Sequence, residues 1–301
     1  MAYQSLQEIV QTCEQEKIDF WEAILKEDMA ERGVSREESI AQMKGMWQAM
    51  LAASENYDGS LRSKSGLSGG SGLKMDEYRQ KGSALSGDFM AEVISEALKT
   101  GECNACMKKI VAAPTAGACG VLPAVLIPMY RSQEASADQI IEALYVAAGI
   151  GQVIALRAFI AGAAGGCQAE VGSASSMAAG ALVHLRGGSH HQILDAAAMA
   201  MKMLLGLVCD PVAGLVEVPC IKRNVGGAVN AVAAADMALA GLTSRIPADE
   251  VIDAMKEVGQ NMPTAFRETA KGGLANTKWA KKFTAEIKED QSEMVCKTGL
   301  K

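Results

Sequence analysis

The sequence has few aromatic residues, few histidines and no cluster of basic residues. Aromatic side chains make up 4% of the 301 residues, and alternating β-branched and aromatic residues never persist, so the signature of β-strands is missing. The chain has 35 acidic and 29 basic residues, and no run of Lys and Arg stands out, which argues against a nucleic-acid-binding surface. These shortages leave small molecules as the expected partners.

The chain also lacks the marks of export and of a membrane span. Its N-terminal stretch carries acidic residues throughout and has no continuous apolar segment, unlike a signal peptide. The longest uncharged run, 110–130, is interrupted by Pro114, Pro123 and Pro128, so we expect buried core there. The predicted location is the cytoplasm, where the eight cysteines are expected to be metal ligands, catalytic groups or buried side chains rather than disulfides.

Alanine-rich apolar segments separated by glycine-rich elbows make up most of the chain. Helices that are apolar on nearly every face must be buried by other helices, so we predict an all-α bundle. Residues 1–60 are expected to form a helical segment packed on a catalytic domain of residues 61–301. The Ser/Gly-rich stretch at 60–72 has the composition of a linker. The clearest helices are predicted over 138–161, 173–186, 191–207, 224–242 and 249–258, the last ending at Gly259.

Four segments are too polar or too rich in glycine for a plain core: 65–74, 112–123, 165–180 and 208–224. Because each joins apolar helices, all four can reach one end of the bundle, where N–H groups at helix starts favour an anion such as a carboxylate. No phosphate-binding loop with the established spacing is found. A pyridoxal enzyme would need a Schiff-base lysine, for which Lys74 beside the Ser/Gly stretch is the candidate.

Three cysteines lie inside these loops: Cys167, Cys209 and Cys220. Three thiols without a close fourth are compatible with an iron–sulfur cluster that has one open iron. Structural zinc would require a fourth Cys or His nearby, and most free cysteines are buried small side chains. The spacing alone leaves these interpretations open.

The remaining cysteines and the histidines favour ordinary structural roles. Cys103 and Cys106 form a CxxC motif, but no second pair completes a metal site, and the segment predicts one face of a helix. Packing is also expected for Cys13 and Cys119. The three histidines cluster around one predicted helix end, outside the four loops, so no histidine base is obvious: His184, His190 and His191.

Four motifs make residues 65–275 resemble the α chain of the iron–sulfur L-serine dehydratases: APTAGACGVLPAV, AGAAGGCQAEVGSASSMAA, GLVCDPVAGLVEVPCIKRN and FRETAKGGLA. The resemblance implies that Cys167, Cys209 and Cys220 bind an oxygen-sensitive [4Fe-4S] cluster, and that no pyridoxal phosphate is used. It also implies conversion of L-serine to pyruvate and ammonia, with the open iron acting as a Lewis acid on the substrate hydroxyl while a base removes the α-proton.

Several residues of the matching motifs are candidates for binding the substrate. The predicted carboxylate-binding residues belong to two of the loops, with Lys74 assisting: Thr115, Ala116, Gly117, Arg223 and Asn224. Glu170 is expected to orient the amino group or a neighbour of the cluster, or else to form a buried salt bridge. Cys296 near the C-terminus is a candidate fourth ligand.

Single-chain relatives in this family carry an N-terminal domain with a Ser-Ser-His-Thr motif, which this chain does not match. A separate β chain is therefore expected to supply that domain and the histidine base. The alternatives are a cysteine desulfidase on the same framework, in which an open iron binds the substrate thiol, and a non-catalytic iron–sulfur or zinc subunit. The relative turnover of serine, threonine and cysteine separates the two lyases, whereas the non-catalytic subunit predicts a metal centre indifferent to serine.

Overall fold

The computed structural model describes residues 3–82 and 84–287, and within these ranges the chain is helical without a β-strand. The first half contains α1 (Leu6–Glu16), α2 (Phe20–Arg32), α3 (Arg36–Glu55), α4 (Ser71–Gln80), α5 (Gly87–Ala105) and α6 (Val121–Arg131). The second half contains α7 (Ala137–Arg157), α8 (Gly162–Gly165), α9 (Ser173–Leu185), α10 (His190–Met203), α11 (Cys220–Leu239) and α12 (Ala248–Asn261), followed by helical residues at 278–287. The prediction of an all-α fold is confirmed.

Local sequence signals set where several helices begin. Ser35, Ser136 and Ser189 each accept a hydrogen bond from the backbone N–H three residues later, and the side chain at that position bonds back to the serine N–H. This reciprocal capping satisfies two backbone donors that the first turn of a helix leaves without partners. α3, α7 and α10 therefore start at positions that their own sequences specify.

The core is built around α7 and α9, which pack closely because a glycine on each helix faces a large side chain on the other, Gly180 against Ile150 and Gly151 against Met177. A Cβ on Gly180 would lie 2.3 Å from Cδ1 of Ile150, so only glycine permits this approach of the two helices. α7 is the one described helix that is long and apolar enough to cross a bilayer, but 67% of its most apolar stretch is buried among other helices. All residues from Val121 to Met129 of α6 are buried too, which confirms the expected core over much of the uncharged run.

The N-terminal helices share this core. Phe20, Ile24 and Leu25 of α2 are buried in the same cluster as the residues of α7 and α9. Cδ1 of Ile24 lies 2.5 Å from the position that a Cβ on Gly149 would occupy. Residues 1–60 are thus packed on the remainder of the chain, and their separation from 61–301 as a domain stays a prediction.

Several predicted helix bounds are wrong, among them the end of α10, which lies at Met203 rather than at 207. Gly259 does not end α12 but lies inside it, because a Cβ there would be 2.5 Å from Cζ of Phe159 and the glycine is needed for packing. α11 begins at Cys220 rather than at 224, and α7 ends at Arg157 rather than at 161. α7 ends because the backbone of Ala158 leaves the helical conformation, with φ −129° and ψ −117°.

The interpretation of the Ser/Gly-rich stretch as a linker is also wrong, since two buried carboxylates hold it. Ser63 Oγ donates to Glu217 Oε2 at 2.6 Å, and Ser65 Oγ donates to Glu217 Oε1 at 2.9 Å. Glu217 lies between Cys209 and Cys220 in the sequence. The stretch is therefore tied to the segment that carries two of the three candidate ligands.

Glu102 of α5 holds the other end of the same stretch. Its carboxylate accepts the backbone N–H groups of Gly69, Ser71 and Gly72, which include the start of α4. Burial alone would raise the pKa of Glu102, but hydrogen bonds from Tyr57 and Ser71 outweigh it and lower the pKa. A charged Glu102 at this helix start stabilises both the helix and the turn before it.

Candidate metal centre

Two of the three predicted cysteine ligands meet at one point of the structure. The Sγ atoms of Cys167 and Cys209 and a carboxylate oxygen of Glu170 all lie within 4.8 Å of one another. Cys220 is buried at the first residue of α11, and burial followed by the neighbouring Cys167 raises the pKa of its thiol to about 12. All three cysteines are free of disulfides. Residues separated by more than fifty positions thus form one thiol-rich site.

A distorted helical turn places Cys167. Gly166 before it has φ +78, and a Cβ there would lie 2.8 Å from the Leu207 carbonyl oxygen, so the position requires glycine. Residues Gln168–Gly172 after it form a π-helical turn, a feature that often marks functional sites. The buried Gln168 amide anchors this turn by donating to the Met255 carbonyl at 3.0 Å.

Cys209 is held by the segment FRETAKGGLA. Its N–H donates to the Phe266 carbonyl at 2.7 Å, and its carbonyl accepts the N–H of Glu268 at 2.8 Å. These bonds surround an isolated parallel bridge between Cys209 and Arg267. The segment brings the Glu268 side chain to the site, a residue to which the sequence analysis gave no role although its motif was noticed.

The partly buried Arg223 brings a positive charge to the site. Arg223 on α11 donates to the Val208 carbonyl and to Asp210 Oδ1, both at 2.7 Å, and its Nη1 lies 3.5 Å from Cys167 Sγ. A hydrogen bond from the Cys209 thiol, and then the Arg223 charge, lower the pKa of Cys167. The pKa of Cys209 is raised for the complementary reason, because its proton is shared with the Cys167 sulfur. The environment favours a thiolate at Cys167.

Glu170 lies against glycine backbone on two sides. The positions that Cβ atoms would occupy on Gly117 and Gly162 are each 2.8 Å from one of its carboxylate oxygens. Thr115 Oγ1 donates to Glu170 Oε1 at 2.7 Å. Burial, in spite of that hydrogen bond, and the nearby Glu268 raise the pKa of Glu170. Within residues 3–82 and 84–287 it forms no ion pair with a basic side chain, so the structure does not show the salt bridge considered for it.

A comparison with known proteins bears on this geometry. The family model described as "Serine dehydratase alpha chain" matches residues 15–275. The chain belongs to this family. It is 45% identical over 285 residues to the "Probable L-serine dehydratase, alpha chain" of Bacillus subtilis (strain 168), covering 95% of both chains. It is 42% identical over 281 residues to the "L-serine dehydratase, alpha chain" of Peptoniphilus asaccharolyticus, covering 93% of this chain and 96% of that one.

Longer members of the family match over a smaller part. The "L-serine dehydratase" of Streptomyces coelicolor is 49% identical over 181 residues, which are 60% of this chain but 40% of that protein. The resemblance inferred from the sequence motifs is therefore confirmed at the level of the family. The thiol-rich site lies within the matched residues 15–275 of this serine dehydratase alpha chain family member.

In this family member, Asn224 and Ala116, which the sequence predicts to bind the substrate carboxylate, are both held by hydrogen bonds within the protein. The Asn224 side chain accepts the Gly120 N–H and donates to the carbonyls of Gly117 and Cys220, so it holds the 117–120 turn against α11. The Ala116 carbonyl is held by Asn104 at 3.2 Å.

Lys74 and Cys296 are the last two residues that the sequence predicts for the site. Lys74 is exposed on the first turn of α4 and forms no ion pair within the described part of the chain. Cys296 lies outside the described residues.

Proposed function

We propose that this chain is the catalytic α subunit of a cytoplasmic L-serine dehydratase, which converts L-serine to pyruvate and ammonia with a [4Fe-4S] cluster and without pyridoxal phosphate. The observation that carries the proposal is the meeting of Cys167, Cys209 and Glu170, with Cys220 buried beside them. Support also comes from the names of the similar alpha chains from B. subtilis and P. asaccharolyticus.

The donor set fits an iron–sulfur cluster. Thiolates are the usual ligands of such clusters. Cys167 and Cys209 lie together with Glu170. Cys220, which is close enough to Cys167 for that neighbour to raise its pKa, would supply the third thiolate and leave one iron open. The start of α11 at Cys220 and the guanidinium of Arg223 beside Cys167 both favour negatively charged sulfur. Cys167, Cys209 and Cys220 would hold the cluster, and its open iron supplies a Lewis acid for the hydroxyl group of the substrate.

The protein groups around the cysteines would bind and orient L-serine. We assign its carboxylate to the turn of Thr115, Ala116 and Gly117, with Lys74 assisting from the end of the Ser/Gly stretch. The Thr115 hydroxyl has one proton, which it donates to Glu170, so backbone N–H groups would make the main contacts with the carboxylate. Arg223 and Asn224 would position this turn and the cysteines rather than bind the substrate directly. Their side chains are already bonded to Asp210 and to backbone groups.

The reaction removes the α-proton and the β-hydroxyl of L-serine as water. The enamine that remains tautomerises to an imine, which takes up one water and releases ammonia, so the sum is pyruvate and ammonia. The base for the α-proton is assigned to a separate β chain, because none of the three histidines reaches the site. They lie around the connection between α9 and α10, where His184 pairs with Glu142. Naming of the relatives as alpha chains supports such a heterodimer.

The test is an anaerobic preparation of the chain with its β chain, in which iron, sulfide and turnover are measured. We expect about four irons per α chain, turnover of L-serine above that of L-threonine and L-cysteine, and loss of iron and activity in Cys167→Ala. Cys119→Ala is the matched control, since Cys119 is as deeply buried but lies outside the site. An iron-free active enzyme, or a cluster whose spectrum does not respond to L-serine, would contradict the proposal.

A further inference from the structure

A second carboxylate faces the site beside Glu170. Around the position that a Cβ on Gly162 would occupy, Glu170 Oε2 lies at 2.8 Å, Cys209 Sγ at 3.0 Å and Glu268 Oε2 at 3.2 Å. Two carboxylates and one candidate ligand sulfur therefore converge at the first residue of α8. This arrangement brings together residues from separate segments of the chain: α8, the π-helical turn, and the segments of Cys209 and Glu268.

Neither Glu170 Oε2 nor Glu268 Oε2 forms an ion pair or a side-chain hydrogen bond with the described residues. The hydrogen bond from Thr115 goes to Oε1 of Glu170, which leaves Oε2 free, and the contact recorded for Glu268 involves its backbone N–H. Among the described residues no basic side chain forms an ion pair with Glu170 or Glu268. Arg223, which lies beside Cys167, is already paired with Asp210. Two like charges at this distance repel each other, and a small cation between them removes that repulsion.

The position of Glu268 suits a ligand that enters from solvent. Its N–H is fixed by the Cys209 carbonyl at 2.8 Å, whereas its side chain is exposed. Glu170 lies deeper, held by Thr115. A group placed between them contacts Glu170 on its inner side and Glu268 on its outer side, directly beside the cysteine sulfur.

We propose that Glu268 and Glu170 together bind the ammonium group of the substrate, and that Glu268 makes the site specific for an α-amino acid. This inference rests on the proposed function and deepens it. A primary ammonium carries three N–H donors, enough for one charge-assisted hydrogen bond to each carboxylate and one to another acceptor. The hydroxyl of the same substrate molecule then points towards the cysteines, and its carboxylate towards the 115–117 turn.

The test compares L-serine with 3-hydroxypropanoate, which keeps the carboxylate and the hydroxyl but lacks the amino group. In the iron-loaded complex of both chains, Glu268→Gln is expected to raise KM for L-serine roughly tenfold to a hundredfold, the effect of one charge-assisted hydrogen bond. The inhibition constant of 3-hydroxypropanoate is expected to stay as in the unchanged enzyme. Glu257→Gln, a change at an exposed carboxylate of α12, is the matched control and should alter neither constant.

Three outcomes for the variants overturn the inference. An unchanged KM removes Glu268 from amino-group binding, and an equal loss for both ligands shows a structural role for the side chain. Iron loss in both Glu268→Gln and Glu268→Asp would make this carboxylate part of the metal-binding set instead. If the unchanged enzyme does not act on L-serine, the proposed function fails, and the inference that rests on it fails too. That failure is seen in the unchanged enzyme, whereas the other outcomes are seen only in the Glu268 variants.

Discussion

Residues of the same type differ in chemistry here because their neighbours differ. Cys119 is buried among apolar groups, and burial raises the pKa of its thiol to about 12. Burial raises that of Cys13 to about 11. Cys167 is buried as well, but the Cys209 thiol and the Arg223 charge lower its pKa. Donors and a cation beside the sulfur, rather than exposure, distinguish the candidate ligand from the packing cysteines.

Gly162 should be intolerant of a methyl group although it lies in a short, simple helix. In Gly162→Ala the new Cβ would meet Glu170 Oε2 at 2.8 Å and Cys209 Sγ at 3.0 Å, so both groups must move. We expect activity to fall by about tenfold or more, because displaced groups at a reactive site lose rate steeply, and the free energy of unfolding to fall by about 1–3 kcal/mol, the usual cost of overpacking. Steady-state kinetics of the iron-loaded complex measure the change.

The control is Gly226→Ala on α11, where a Cβ meets nothing within 4 Å. Activity should be unaffected there, and the free energy of unfolding should rise by about 0.5–1 kcal/mol because alanine is the better helix former. Full activity in Gly162→Ala would show that the site accommodates the methyl group.

At the scale of elements, the Ser/Gly-rich stretch has a flexible composition but a fixed position in the structure. Its own composition does not specify a conformation, but Glu102 and Glu217 supply acceptors for its backbone and hydroxyl donors. Both carboxylates belong to distant parts of the chain. The stretch is therefore ordered by hydrogen bonds with distant elements. Because Glu217 holds it, a displacement of the segment between Cys209 and Cys220 would also displace the stretch.

Removing the Glu217 carboxylate should release this stretch. In Glu217→Ala the hydroxyl of buried Ser63 loses its acceptor, which costs about 1–3 kcal/mol. Trypsin cleavage after Arg62 or Lys64 is expected to become at least about tenfold faster, because the free energy of local opening falls by roughly that cost. Mass spectrometry of timed digests measures it, with Glu257→Ala as the control. Cleavage at the rate of the unchanged chain would mean that Glu217 does not hold the stretch.

The contact between α9 and α7 should make stability depend on pH. Burial lowers the pKa of His184 below its ordinary value of 6.5, an effect that nearby His190 increases and Asp19 opposes. Because the unfolded chain binds this proton more readily, the contribution of His184 is complete above about pH 6.5 and is lost as the pH falls through and below that value.

Denaturant unfolding between pH 5.5 and 8 tests this expectation. The free energy of unfolding should fall towards the acid end, and the fall should be smaller in His184→Gln. Glu142, which faces His184 and whose pKa burial raises from 4.5, is kept in both proteins. His191→Gln removes an exposed imidazole and controls for the loss of one histidine. The same slope in His184→Gln as in the unchanged chain would refute the assignment.

At the scale of the whole molecule, one hydrophobic core runs from α1 to α12. The N-terminal helices contribute fully buried side chains to it, among them Phe20 and Leu25, and Ser39 bonds the hydroxyl of buried Tyr145 at 2.6 Å. A shared core of this kind couples the unfolding of its parts.

Ile24→Ala should therefore destabilise the whole chain at once. Removing this buried side chain next to Gly149 is expected to cost about 2–5 kcal/mol. The unfolding curves from far-UV circular dichroism and from tryptophan fluorescence should shift together. Ile246→Ala, at a half-exposed position, should change stability far less. Two separate transitions in Ile24→Ala would show that residues 1–60 unfold as an independent domain.

The sequence by itself determined the helical class, the capped helix starts and the family, because these depend on local periodicity, capping residues and long contiguous motifs. It also marked Cys167, Cys209 and Cys220 as special. Only the tertiary structure decided that Glu268 approaches Glu170, that Arg223 lies beside Cys167, and that the Ser/Gly-rich stretch is fixed. Those relations join residues far apart in the chain, and contacts of this kind arise from packing, which no local pattern encodes.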